Sequence, residues 1–170
     1  MKRYYHAVPP STMTKAVRLF FLLALTSVVG YIGSTFVTPE ALAWYDGLIQ
    51  SDLTPPDSWF GIVWGILYAL MSIAAWLVWG KVTPRPFVFQ LAFNLLWTFL
   101  FFYLKSPILA LVDVVAMVAC LIWTVVVFAR ASLWAAGLMI PTLIWSCFAF
   151  YLNLIVVLYN TQVGVWLGLI

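Results

Sequence analysis

The sequence predicts an all-α membrane protein, a bundle of five transmembrane helices. Three observations carry this reading. Of 170 residues, 66% are hydrophobic and only 8% are charged. The charges fall in small clusters, and the apolar runs between them are close to the ~20 residues that cross a bilayer as a helix. The runs are also continuous rather than alternating, so they match helices and not the short alternating strands of a barrel.

The first span is expected over residues 16–36. Thr26, Gly30 and Ser34 form a small-residue stripe on it with Gly33 alongside, which suits close helix approach, either inside the bundle or between two copies. Ala41-Leu42-Ala43 mimics a signal cleavage site, but the apolar run is too long for a signal peptide and Pro39-Glu40 interrupts the approach. The span is therefore expected to be retained.

Residues 37–56 form the one long connection, with Glu40, Asp46, Asp52 and the aromatic pair Trp44-Tyr45. A loop this long between otherwise short ones reads as a structured lid. The second span is expected over 57–80, with Pro55-Pro56 before it and Asp57 or Ser58 as its cap. Pro84 and Pro86 open the third, over 86–103, and Ser106-Pro107 opens the fourth, over 107–129. The fifth covers 133–159, and Pro141 inside it predicts a kink. Residues 1–15 and 161–170 are tails flanking one domain over 16–160.

Seven basic residues share one face of such a bundle: Lys2, Arg3, Lys15, Arg18, Lys81, Arg85 and Arg130. The other face has only Lys105. The positive-inside rule then places the N-terminus in the cytoplasm and the C-terminus outside. A bacterial cell membrane is the expected setting, with an organelle membrane as the alternative. The net charge of +3 is a loop property and implies no nucleic acid partner.

Polar residues within the spans each need a reason. Gln90, Asn94, Trp97 and Phe101 line one face of the third helix, as interhelical hydrogen-bonding glue or as a binding stripe. Asn153, Asn160 and Trp145 share a face of the fifth. Asp113 is the one acid well inside a span, expected to accept from Gln90, Asn94 or a hydroxyl. Ten tryptophans exceed what interfacial belts need, and stacking on a flat apolar ligand is a second use. Cys120 and Cys147 read as small buried hydrophobes. The one histidine, His6, lies in the tail, so a bound porphyrin would be held by stacking or by weaker ligands. No phosphate loop, Ser-His-Asp set, metal cluster or catalytic residue is evident, and no metal or obligatory cofactor is expected.

These residues resemble the TspO/MBR family of tryptophan-rich sensory proteins and mitochondrial translocator proteins. Residues 33–48 are similar to its first-loop signature. Pro55-Pro56, Val63-Trp64 and Leu67-Tyr68 to Met71 resemble its second helix. Gln90, Asn94, Trp97 and Phe101-Phe102 resemble its third, Ala110 to Asp113 its fourth, and Pro141, Leu143, Trp145, Phe148-Ala149 and Leu152-Asn153 its fifth. The resemblance implies a five-helix bundle, a homodimer, and a pocket under the first loop that binds protoporphyrin IX, haem and synthetic aromatic ligands. Carried over by motif, the ligand-binding residues are Trp44, Trp64, Asn94, Trp97, Phe101, Trp145 and Ala149.

The implied role is sensor or carrier in tetrapyrrole and stress regulation. Photo-oxidative porphyrin degradation and non-catalytic regulation of another membrane transporter are the alternatives. This chain departs from the family pattern at Leu53, where a loop tryptophan is usual, at Ser58-Trp59, where the tryptophan is shifted by one, and at Pro141-Thr142 in place of Pro-Tyr. No basic residue follows Arg130, so the family's sterol motif is absent.

Overall fold

Proline and short polar breaks cut the chain where the helices end. The computed structural model describes residues 12–169. Its helices are α1 (Thr12–Ser34), α2 (Pro39–Asp46), α3 (Asp57–Leu77), α4 (Arg85–Thr98), α5 (Pro107–Ala129), α6 (Leu133–Asn160) and α7 (Gln162–Trp166). Five stretches, α1, α3, α4 with its extension, α5 and α6, are long and apolar enough to cross a membrane. The chain is a multi-pass integral membrane protein.

The ends follow local chemistry. Pro86 sits in the first turn of α4 and Pro107 opens α5, positions where a missing N–H costs nothing. Ser132 caps α6 by accepting from the Ala135 amide at 3.2 Å. The expected side-chain cap of α3 is absent. Pro56 occupies the cap position and Asp57 is the first helical residue, where its carboxylate meets the positive end of the helix dipole instead. The first helix starts at Thr12, earlier than expected. His6, Lys2 and Arg3 lie outside the described residues. Residues 161–170, expected as a tail, include the short helix α7, capped by Thr161.

The long connection is partly helical. Thr38 accepts from the Ala41 amide at 3.2 Å, Pro39 starts α2, and Gly47 ends it. Beyond α4 the helix widens into a π turn over Phe99–Tyr103, with the Leu104 amide reaching back to the Phe99 carbonyl at 3.0 Å. A π turn inserts one extra residue and re-aims the side chains that follow.

The helices close a ring in which α1 packs on α3, α3 on α6, α6 on α5, α5 on α4 and α4 on α1. The half of the ring next to the basic connections is filled. Met71, Ala74, Met117, Leu121, Phe128 and Met139 are almost wholly buried there. The opposite half, under α2, has only a small cluster of Tyr45, Phe101, Ala110 and Val156. Packing is therefore dense at one end and leaves space at the other.

The small-residue stripe of α1 faces the bundle. Thr26 Oγ1 and Ser72 Oγ are 2.9 Å apart, and a Cβ on Gly30 would lie 2.7 Å from Tyr68 Cε2. Only glycine lets the Tyr68 ring approach α1 this closely. Thr26 and Gly30 thus belong to an internal seam, while Ser34 at the end of the stripe is exposed.

Candidate ligand-binding site

The space under α2 is a cavity of about 740 Å³, within the range of small-molecule sites. Four of the five spans and α2 build most of its wall. Thr26, Ser27 and Gly30 come from α1, Phe60, Trp64 and Tyr68 from α3, and Asn94 and Trp97 from α4. Ala149, Leu152, Asn153 and Val156 come from α6, Met117 alone from α5, and Leu42 and Tyr45 from α2. Phe101 and Phe102 reach it from the π turn.

The aromatic walls have fixed geometry. Trp97 and Phe101 stack, with centroids 5.1 Å apart and planes 18° from parallel. Trp64 and Tyr68 face the space as a second pair, 5.6 Å apart. Offset ring pairs of this kind hold one another in place. The polar groups are held as well. Tyr68 Oη donates to Asn94 Oδ1. Trp97 Nε1 donates to Asn153 Oδ1 at 3.1 Å, and Asn153 Nδ2 donates to the Pro107 carbonyl at 2.9 Å. Each hydrogen bond ties two elements together, so the wall is a connected set.

Five of the seven residues singled out in the sequence line the cavity: Trp64, Asn94, Trp97, Phe101 and Ala149. Trp44 and Trp145 do not. Trp44 packs on Phe101 at 5.6 Å, outside the space. Its neighbour Tyr45 points inward instead, because adjacent helical residues project about 100° apart. Trp145 packs against Phe60 and Phe148 at 5.8 and 5.6 Å. Both tryptophans buttress lining residues.

Two expectations about polar groups fail. Asp113 is buried, and neither carboxylate oxygen has a hydrogen-bond partner. The amides expected to reach it are aimed elsewhere: Gln90 Nε2 at Met71 Sδ and Asn94 Nδ2 at Met117 Sδ. Cys147 is exposed and Cys120 only half-buried. Sequence inspection also missed Asp57 and Tyr68 as lining residues. Tyr68 stands one turn past Trp64 on the same face, and that spacing was the available signal.

The roof is attached to α6. Asn160 Oδ1 accepts from the Ile49 amide at 2.8 Å, and its Nδ2 donates to the Ile49 carbonyl at 2.9 Å. The Ser51 and Tyr151 hydroxyls are 3.0 Å apart, and Gln50 Nε2 donates to the Tyr45 carbonyl at 2.8 Å. Burial pushes the Tyr45 phenol up from its ordinary range, and the negative charges of Asp57 and Asp46 add to the effect.

Residues 21–158 match the TspO/MBR family. The chain belongs to that family. It is 37% identical over 151 residues to the tryptophan-rich protein TspO of Chlorobaculum tepidum, covering 84% of this chain and 95% of that protein. It is 36% identical over 132 residues to the translocator protein of Homo sapiens, covering 72% and 78%. It is 40% identical over 117 residues to the tryptophan-rich sensory protein of Cereibacter sphaeroides, covering 65% and 72%. This TspO/MBR protein is therefore of the sensor or translocator type. No group of three or more His, Cys, Asp or Glu side chains able to hold a metal ion occurs among its described residues.

Proposed function

We propose that this TspO/MBR protein binds a flat aromatic ligand of the tetrapyrrole type, protoporphyrin IX or haem, and works as its sensor or carrier. The observation that carries this reading is the stacked Trp97–Phe101 pair facing a large apolar cavity, with Asn94 as its amide. A planar ring system can stack on such a wall at roughly 1 kcal/mol per aromatic contact beyond area burial. The described lining contains no histidine or cysteine, so a porphyrin would be held by stacking or by weaker ligands. The reading includes the homodimer implied by the family resemblance. It also includes an orientation with Lys15, Arg18, Lys81, Arg85 and Arg130 toward the cytoplasm and the cavity roof outside.

The test is tryptophan quenching by protoporphyrin IX in detergent, for wild type and Ala149→Leu. Ala149 lines the cavity from α6, and a leucine there fills space a ring would need. Quenching should be saturable in wild type and weakened at least tenfold in the variant, with thermal unfolding little changed. Equal affinity for both would place the ligand elsewhere.

A further inference from the structure

The cavity wall is not equally tight all round. Toward the packed half, α1 and α3 are in close contact, through Thr26 with Ser72 and Gly30 with the Tyr68 ring. Toward the roof each helix leans on a different neighbour. The end of α1 packs on α4 and the π turn. A Cβ on Gly33 would lie 3.5 Å from Thr98 Oγ1, and the Phe36 ring meets Phe99 at 5.3 Å. The start of α3 leans on α6 instead, with Phe60 against Trp145 at 5.8 Å. Two helices drawn to opposite neighbours part between them.

The lining shows where they part. Ser27, Tyr31 and Ser34 on α1 and Gly61 and Gly65 on α3 line the cavity and are also exposed on the outer surface. Each set follows helical spacing, so each forms one lip. A Cβ added to Gly61 or Gly65 would meet nothing within 4 Å, so neither glycine is there to let α1 approach. From Ser27 to Ser34 the slot runs about 10 Å along α1. Both lips belong to membrane-spanning stretches. Exposed Val28, Ile62 and Ile66 flank them, at 53, 60 and 57% exposure, so the slot faces lipid.

The other outlets are obstructed. The roof is pinned to α6 at Ile49, and Met71, Met117 and Leu121 fill the packed half. A substituent too long for the cavity therefore leaves between α1 and α3. A hydrocarbon chain passing that way exchanges one apolar surrounding for another, since lipid tails are as apolar as leucine. Its exit carries no desolvation cost.

We infer that the cavity opens into the bilayer between α1 and α3 and, besides compact rings, takes flat ring compounds bearing one long hydrocarbon chain. The ring stacks inside and the chain runs through the slot into lipid. This deepens the tetrapyrrole reading by adding long-chain tetrapyrrole esters, and rests on it only in taking the cavity as the binding site.

The experiment compares protoporphyrin IX monomethyl ester with the monododecyl ester by tryptophan quenching in a non-ionic detergent. The proteins are wild type, Gly61→Leu, Gly65→Leu and, as a lipid-facing control on α5, Val115→Leu. Leucine favours helix over glycine, so the glycine variants should fold, which circular dichroism checks. The quantity read is the ratio of the dodecyl to the methyl dissociation constant. Its change between proteins cancels unequal partitioning into micelles. Wild type should bind both esters. A leucine in the slot crowds the chain, and overpacking of that kind is worth roughly tenfold. The ratio should therefore rise about tenfold in at least one glycine variant and stay put in Val115→Leu.

An unchanged ratio in both glycine variants, or an equal rise in Val115→Leu, would overturn the slot while leaving tetrapyrrole binding intact. So would wild type that binds only the methyl ester, as when a second copy covers the slot. If neither porphyrin binds, the tetrapyrrole reading falls, and the methyl and dodecyl ethers of 1-pyrenemethanol decide the slot by the same ratio in the same proteins. No binding by any of the four ligands overturns it.

Discussion

Replacing Asn153 with leucine tests whether the cavity wall is one connected unit. Asn153 is buried and makes two hydrogen bonds, accepting from Trp97 Nε1 at 3.1 Å and donating to the Pro107 carbonyl at 2.9 Å. Leucine keeps nearly the same volume and removes both. Interhelical hydrogen bonds within membranes average about 0.6 kcal/mol and reach about 1.7, so Asn153→Leu should cost about 1–3 kcal/mol. The cycle with Trp97→Phe separates the two bonds, because phenylalanine lacks the indole N–H. Its coupling energy should be about 0.6–1.7 kcal/mol. The assay is reversible unfolding by SDS in mixed micelles, followed by circular dichroism so that loss of a tryptophan does not alter the signal. A coupling of zero within about 0.3 kcal/mol would refute the claim that this amide orients the indole.

Three further outcomes are expected. Asn160→Ala should free residues 48–52 from α6 and speed amide hydrogen exchange there, while exchange in α5 stays unchanged; equal protection would mean that the Ile49 contacts do not hold the roof. Gly30→Val should displace the Tyr68 ring, break its bond to Asn94 and weaken ligand quenching several-fold, and a variant binding as wild type does would show that the seam has slack. A C-terminal reporter active only in the cytoplasm should stay silent, and strong activity would reverse the orientation.

The spans were legible because each rests on run length, and the second, third and fourth also on proline at a boundary, as at Pro86 and Pro107. Such features act locally and survive any tertiary arrangement. The cap of α3 was misread because Asp57 satisfies the residue preference for a cap but stands one position inside the helix. The π turn had no sequence signal, since Phe99–Tyr103 is uniformly apolar or aromatic and shows no period. Trp97 and Phe101 were readable as one wall because they lie a turn apart on a single helix.

Trp44 was not readable in the same way. Whether it or Tyr45 points inward depends on how α2 rotates against Phe101, a tertiary choice. Asp113 illustrates a further limit. Sequence placed it near two amides, and those amides turned to methionine sulfur instead.

The attachment of the roof at Ile49 has a mechanical consequence. The segment after α2 is gripped by the far end of α6, more than 100 positions away in the chain. Ala149, Leu152, Asn153 and Val156 lie on that same helix. Roof and far wall are thus parts of one lever. A tilt of α6 would carry both together, widening or narrowing the space between them and the α1–α3 side, without any need for the roof to open on a hinge of its own.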